Sequence, residues 1–447
     1  MKLNYKRTFL IGFAFMAISA FWQMYDNIIP LILQNTFHLK EGAIGVIMAA
    51  DNVLAVFLLP VIGAFSDRVD TRLGKRMPFI VGGTAAAVAS MMLLPVSDRL
   101  LNLPMFIIAL GVTLFAMGMY RAPAVALMPD LTPKPLRSKA NAVINLMGAV
   151  GGVYSLLLIK LLVGKGARPS YLFLFAGVAG LMVLSVILLL LTINEKKLAK
   201  RMQEEYSELS ETEDRPGADV PKKAFIRTAE EAGEKGGVIS GDSGDRDVKR
   251  SLVFILLSIF LWFTAYNAVT TAFSRYAVTV WGLEGGGYAD CLMVATVAAI
   301  VSYIPIGMVS SRIGRKKTIL GGVALMTGCY LMAALLSDYH PVIQAGFALI
   351  GVGWAAINVN SLPMVVEMSK DSDLGKYTGL YYTFSMTAQI ATPILSGILL
   401  QYVSYRALFP YAVVFSGAAF VTMLFVKHGD NKPTSKKSLI EHFDVED

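Results

Sequence analysis

The sequence predicts an all-α integral membrane fold, with twelve spanning helices in two similar six-helix halves. Three observations carry that prediction. Of the 447 residues, 55% are hydrophobic and only 16% are charged, against roughly a quarter charged in soluble chains. The apolar residues fall into twelve runs, each holding the roughly 20 residues that cross a bilayer as a helix. A loop motif of the first half also returns, in part, at the matching place in the second.

The first six helices are expected near 8–33, 41–66, 78–97, 103–128, 139–163 and 170–193. The second six are expected near 251–275, 287–310, 318–337, 341–365, 376–401 and 405–427. The first run is too long for a cleaved signal peptide and has no small-residue cleavage site, so it reads as helix 1. Between the two sets lies the one long hydrophilic segment, 195–250. It opens with EKKLAKRMQEEYSELSETED, expected as a helix along the inner surface, and continues rich in Gly and Asp. Such a composition buries too little apolar surface to fold alone. The expected organisation is a first bundle over 1–194, a cytoplasmic linker over 195–250, a second bundle over 251–430 and a cytoplasmic tail over 431–447.

The net charge of +8 points to topology rather than to nucleic acid. Cations crowd the short segments on one side: Lys2, Lys6 and Arg7; Arg68, Arg72, Lys75 and Arg76; Lys134, Arg137 and Lys139; Arg312, Arg315, Lys316 and Lys317; Lys370 and Lys376. The other side has only Lys40, Arg99, Lys165, Arg168, Arg275 and Arg406, with Lys160 at the border. Positive loops stay cytoplasmic, so both termini are expected inside a plasma membrane. The two cysteines, Cys291 and Cys329, lie within apolar runs, which excludes a disulfide framework. No Asn-x-Ser/Thr acceptor occurs, which favours a prokaryotic membrane.

Helix 2 ends in GAFSDRVDTRLGKRMPF from Gly63, and helix 8 ends in GMVSSRIGRKK from Gly307, at nearly the same offset within each half. A Gly at position 63 is expected to let two helices approach closely. Asp67 is expected to pair with a cation or a helix N-terminus at the inner end. With Arg68, Arg72 and Arg76, it would form an inner gate that holds the halves together and breaks on opening. The segment G-x-x-S-D-R-x-x-x-R-x-G-[KR]-R resembles the signature loop of the major facilitator superfamily. Its extension Met77-Pro78-Phe79-Ile80 is similar to the sucrose–proton symporters and the glycoside–pentoside–hexuronide transporters. So is Tyr120-Arg121-Ala122-Pro123, leading to Asp130 on helix 4. The resemblance implies alternating access, a sugar or glycoside as solute, and a monomer. Sodium-coupled members of the glycoside group carry acids on helix 2 just before a Pro. Here Leu59 precedes Pro60 and Ala55 lies five before it, so the resemblance implies a proton gradient rather than sodium, with no other cofactor.

Ionisable residues in hydrocarbon are costly unless paired, neutralised or wet, so each one is a functional candidate. Asp26 on helix 1 and Asp51 on helix 2 lie at comparable depth and could share a proton; solvation of Asp26 at the outer surface is the bland alternative. Gln23, Tyr25 and Asn27 accompany Asp26. A rise of 1.5 Å per residue puts Arg121 more than about 15 Å below Asp26. It is therefore expected to contact Asp130, Asp67 or a substrate hydroxyl from below, or to snorkel to the interface. Asn145, Tyr266, Asn267, Trp354, Asn358 and Gln389 complete a set suited to a neutral polyhydroxyl ligand. Amides both donate and accept, while a ring stacks on an apolar sugar face. Glu367 and Arg315 near the inner ends are assigned to the gate with Gly307 and Arg312.

The function expected is proton-coupled symport of a sugar or glycoside. An exporter of drugs or other organic solutes would have a greasier cavity, and a non-transporting sensor would not need the intact loop motif. An enzyme is disfavoured, since His38, His340, His428 and His442 lie outside deep helix positions and show no metal-ligand spacing. No G-x-x-x-x-G-K-[ST] loop is present to drive an ATP pump.

Overall fold

The computed structural model describes residues 3–133, 136–166, 168–198, 200, 242–369 and 374–430. Twelve helices there are long and apolar enough to cross a membrane. The first half holds α1 (Tyr5–Asn35), α2 (Glu41–Arg68), α3 (Met77–Arg99), α4 (Leu103–Asp130), α5 (Arg137–Leu162) and α6 (Leu172–Thr192). The second holds α7 (Asp242–Trp281), α8 (Ala289–Ile313), α9 (Arg315–Leu335), α10 (Val342–Val366), α11 (Leu374–Tyr402) and, after a 3-10 turn at Tyr405–Ala407, α12 (Leu408–Leu424). Polar caps start two of them: Asn4 accepts from the Arg7 amide at 3.1 Å, and Asn102 accepts from the Met105 amide at 3.0 Å. Prolines sit inside several spans, such as Pro60 in α2 and Pro305 in α8. Spanning helices tolerate them because neighbours re-satisfy the freed carbonyls.

α7 has 40 residues and begins within the segment expected as linker. Once a helix is nucleated, each further residue adds a hydrogen bond, so the apolar span carries helix back into the polar residues before it. Residues 201–241 of the expected linker and the expected tail 431–447 lie outside the described residues, as do Lys134 and Lys370.

Packing repeats with the sequence. α1 packs on α5 and α6 as α7 packs on α11 and α12, and α3 packs on α4 and α6 as α9 packs on α10 and α12. The halves meet where α2 lies on α11, α5 on α8 and α1 on α7. An even number of spans puts both ends on one side, here termed the terminal face, and the other side the opposite face. Large apolar side chains such as Phe57, Ile108, Phe173, Leu191 and Val414 are exposed around the outside, as a lipid-facing surface requires. Trp262, Tyr25, Tyr120 and Tyr330 are buried between helices.

Candidate functional site

Within the first half, α4 is fastened to α1 by Tyr120, which is fully buried and donates to the Ala14 carbonyl at 3.0 Å. The next residue, Arg121, thereby holds its guanidinium carbon 5.9 Å from the centre of the Trp22 ring, within cation–π range. Tyr25, one turn along α1, packs edge-on against Trp22 at 5.4 Å. Asp26 follows on α1. Its carboxyl and that of Asp51 on α2 lie within electrostatic range of each other, and the Arg121 charge acts on Asp51. Asn52 donates to Asp51 at 2.9 Å. The structure thus gathers two carboxyls, one cation and two aromatic rings from three helices.

Arg121 thus sits beside Trp22, one turn of α1 before Asp26. A rise count compares backbone heights, but helical side chains lean toward the N-terminus of their own helix. α4 starts at the opposite face and α1 at the terminal face, so Arg121 and Trp22 lean toward each other. Arg76 pairs with both Asp67 and Asp130, the acids also considered for Arg121.

A cavity of about 200 Å³ lies between α1, α5 and α8, lined by Ser19, Gln23, Asn145, Thr296 and Tyr303; Gln23 adjoins Trp22 in sequence, but no side chain of the cluster lines the cavity. Its wall from the second half is α8, through Thr296 and Tyr303. Tyr266 and Trp354 stack on each other, 3.7 Å between centroids and 2° between planes, with Phe263 edge-on to Trp354. The aromatic platform is a closed pair, so one face of each ring is already taken by the other. Asn358 is buried on α10 and Gln389 half-buried on α11. Buried polar atoms without a partner among the described residues include Trp22 Nε1, the Tyr25 hydroxyl, Asn27 Oδ1 and Asn267 Nδ2. The other end of the Asn27 amide donates to the Gln23 carbonyl at 2.9 Å.

At the terminal face, Arg76 joins α2, α3 and α4. Its Nε donates to Asp130 at 2.8 Å, and its other nitrogens bind Asp67, Ser66 and the Gly63 carbonyl. Gly63 itself does not serve a close helix approach: a Cβ there would meet nothing within 4 Å. Its part in the motif is its carbonyl. Arg68, Arg72 and Arg312 are exposed, and Gly307 is half-buried. Arg315 pairs with Glu367 at 2.6 Å, joining α9 to the end of α10.

Sequence reasoning missed two acids here. The Glu195 carboxylate accepts from the backbone amides of Lys75, Arg76 and Met77 at 2.8–3.1 Å, capping α3. In the second half, Asp430 accepts from the Lys316 amide at 2.8 Å at the start of α9. Both acids lie just beyond the last helix of their half and press against a left-handed glycine, Gly74 (φ 118°) and Gly314 (φ 97°). The readable signal was an acid after helices 6 and 12 together with Gly-Lys-Arg and Gly-Arg-Lys before helices 3 and 9.

The opposite face carries contacts between the halves. Arg275 Nε of α7 bonds Glu41 of α2 at 3.0 Å, with side chains only 4% and 7% exposed. The Tyr405 hydroxyl donates to Glu41 and accepts from Gln34 at 2.6 Å. The Gly42 amide donates to Gln401 at 3.0 Å, and Lys160 pairs with Asp290 at 2.7 Å. α2 and α11 touch so closely that a Cβ on Gly45 would lie 2.1 Å from the Pro393 carbonyl oxygen.

The sequence profile of the Major Facilitator Superfamily matches residues 11–302 and 287–443. An MFS-type efflux transporter, pyiT, of Pyricularia grisea is 24% identical over 236 residues, which cover 49% of this chain and 38% of that one. The chloramphenicol resistance protein CraA of Acinetobacter baumannii is 29% identical over 101 residues, 23% of this chain and 24% of that one. The chain thus spans well under half the length of these curated relatives. Among solved structures, the inward-open xylose transporter XylE from E. coli superposes with a TM-score of 0.67 at 13% identity, covering 98% of this chain and 99% of that one. The nucleoside transporter NupG gives 0.67 at 13% identity, covering 94% and 99%. At such identities the likeness is one of fold.

Proposed function

Because the chain belongs to the Major Facilitator Superfamily, and is therefore a membrane transporter rather than an enzyme, we propose that it works as a proton-coupled symporter of a sugar or glycoside. The observation that carries this reading is the cluster of Asp26, Asp51 and Arg121 within the first half, in a molecule that also holds a cavity between the halves. Two carboxyls near one cation cannot both be charged without excess negative charge in low dielectric, so one of them is suited to exchange a proton. Arg121 then sets which carboxyl keeps its charge. Hydroxyls of a neutral solute in the cavity could bond to Gln23, Asn145 and Tyr303, and Trp22 Nε1 and the Tyr25 hydroxyl lack partners among the described residues. On this reading the basic terminal face is cytoplasmic, and the solute leaves there while the opposite face is shut. The likeness of the loop around Met77-Pro78-Phe79-Ile80 to the sucrose and glycoside groups supports the choice of a sugar.

The test is pH in a lightly buffered suspension of vesicles holding the purified protein, after addition of single mono- and disaccharides. Alkalinisation with one sugar is expected, and its loss in Asp26→Asn but not in the exposed control Arg406→Gln. Folded protein that moves no protons with any sugar would overturn the reading. A second reading, export of an organic solute in exchange for protons, is favoured by the efflux and chloramphenicol-resistance relatives; it predicts acidification of the medium, and only with apolar solutes.

A further inference from the structure

Apart from the cavity between α1, α5 and α8, a midplane cavity in that Gln23, Asn145 and Tyr303 lie mid-helix, the opposite face holds another. It measures about 500 Å³ and lies between the end of α1 and the α5–α6 loop of one half and the α7–α8 loop of the other. Its volume falls inside the range of small-molecule pockets, roughly 300–1,000 Å³. Its polar lining mixes donors and acceptors: Gln34, His38, Tyr171, Glu284 and Tyr288. Tyr288 is 1% exposed, and its hydroxyl has no partner among the described residues. Burial holds that hydroxyl well above the usual phenol range, so it stays a donor at any physiological pH. Among the described residues no Lys or Arg lines the cavity, which disfavours anions, and its hydroxyl and amide groups suit a solute rich in hydroxyls.

We propose that this cavity is a second solute site, for a small neutral polyhydroxyl compound, which exists only while the opposite face is shut. Its walls come from both halves, so parting them dismantles it. A ligand with affinity for the shut state alone draws the population toward that state. Gln34 belongs both to the cavity and to the Tyr405–Glu41–Arg275 network, so an occupant bears directly on the contacts that hold the face shut. Solute on that side would therefore slow the transporter by holding it closed. Its source is the cavity's own lining, and it stands whether or not the midplane solute is a sugar.

The test places a cysteine in the cavity. Gly164 lines it and has open space around its Cβ position, so Gly164→Cys is made in a Cys291→Ser, Cys329→Ser background. Purified full-length protein is labelled with a membrane-impermeant maleimide, with glucose, sucrose, maltose or trehalose present. At nine times its dissociation constant a ligand leaves about a tenth of sites free, so labelling should slow about tenfold with at least one sugar. Tyr288→Phe and Glu284→Gln should restore the rate, while Asp26→Asn should leave the protection intact. No protection by any of the sugars overturns the proposal, given that the labelled protein elutes as a single folded species. Protection that Asp26→Asn abolishes and Tyr288→Phe does not also overturns it, because the effect would then arise at the midplane.

Discussion

Replacing Glu41 by Gln is expected to open the opposite face. The pair with Arg275 is almost wholly buried between the halves, at 3.0 Å, and both groups reach water once the halves part. The substitution leaves a guanidinium buried without its carboxylate, which costs about 3–5 kcal/mol. The Arg275 Nη1 bond to the Thr271 carbonyl at 2.9 Å survives and offsets part of this, so the lower figure applies. About 3 kcal/mol shifts a two-state equilibrium roughly 150-fold, enough to bring a protein shut about 99 times in 100 near parity. Spin labels at Lys40 and Tyr402, which flank the Gly42–Gln401 bond and are exposed, would read this in a pulsed electron-resonance distance measurement. The single variant should populate a second, longer distance. The double variant Glu41→Gln, Arg275→Gln should regain most of the short one, because removing both charges of a buried pair is far milder than removing one. A distance distribution in Glu41→Gln identical to the parent, or a double variant as open as the single, would refute the reasoning.

Gly45→Val should lengthen the same label distance, since its Cβ would lie 2.1 Å from the Pro393 carbonyl oxygen; Gly63→Ala, with open space around it, should leave both the distance and the thermal midpoint in place. Arg76→Lys should lower the thermal midpoint by the equivalent of at least about 1.5 kcal/mol, because a point charge cannot bind Asp67, Asp130 and Ser66 together. Gly74→Ala should destabilise by about 1–3 kcal/mol through its positive φ. It also crowds Glu195, so its effect should be non-additive with Glu195→Ala in a double-mutant thermal-unfolding cycle.

The helices were legible because hydrocarbon imposes one rule on the backbone: every span must satisfy its own hydrogen bonds, and long apolar runs show where. The duplication was legible because Gly63–Arg76 and Gly307–Lys317 share residues at one offset. The site was legible only as a set of candidates. Asp26, Asp51 and Gln23 were found because each is polar in an apolar run. Their grouping with Arg121 was not, because it depends on the lean of side chains on two antiparallel helices. Glu41 and Arg275 were invisible for another reason. Each sits at a helix end where charge is ordinary, and only the fold puts them 234 positions apart in sequence yet in contact. Glu195 looked like the first residue of a polar linker, and its three amide partners lie across a loop.

The distribution of these contacts says how such a molecule can move. At the terminal face, several strong polar contacts among the described residues lie within halves: Arg76 with Asp67 and Asp130, Glu195 with the start of α3, Arg315 with Glu367, Asp430 with the start of α9. They stiffen each bundle and survive any rotation of one against the other. At the opposite face polar contacts join the halves, together with close approaches at glycines such as Gly45 and Gly397. Water can replace a hydrogen bond or solvate an ion pair at small net loss, whereas separating interleaved apolar side chains exposes area at roughly 25 cal/mol per Å². A seam of Glu41, Arg275, Tyr405, Gln401, Lys160 and Asp290 over close-packed glycines is therefore suited to repeated opening. The acids and amides that cap each half at the other end keep the two bodies rigid while it opens.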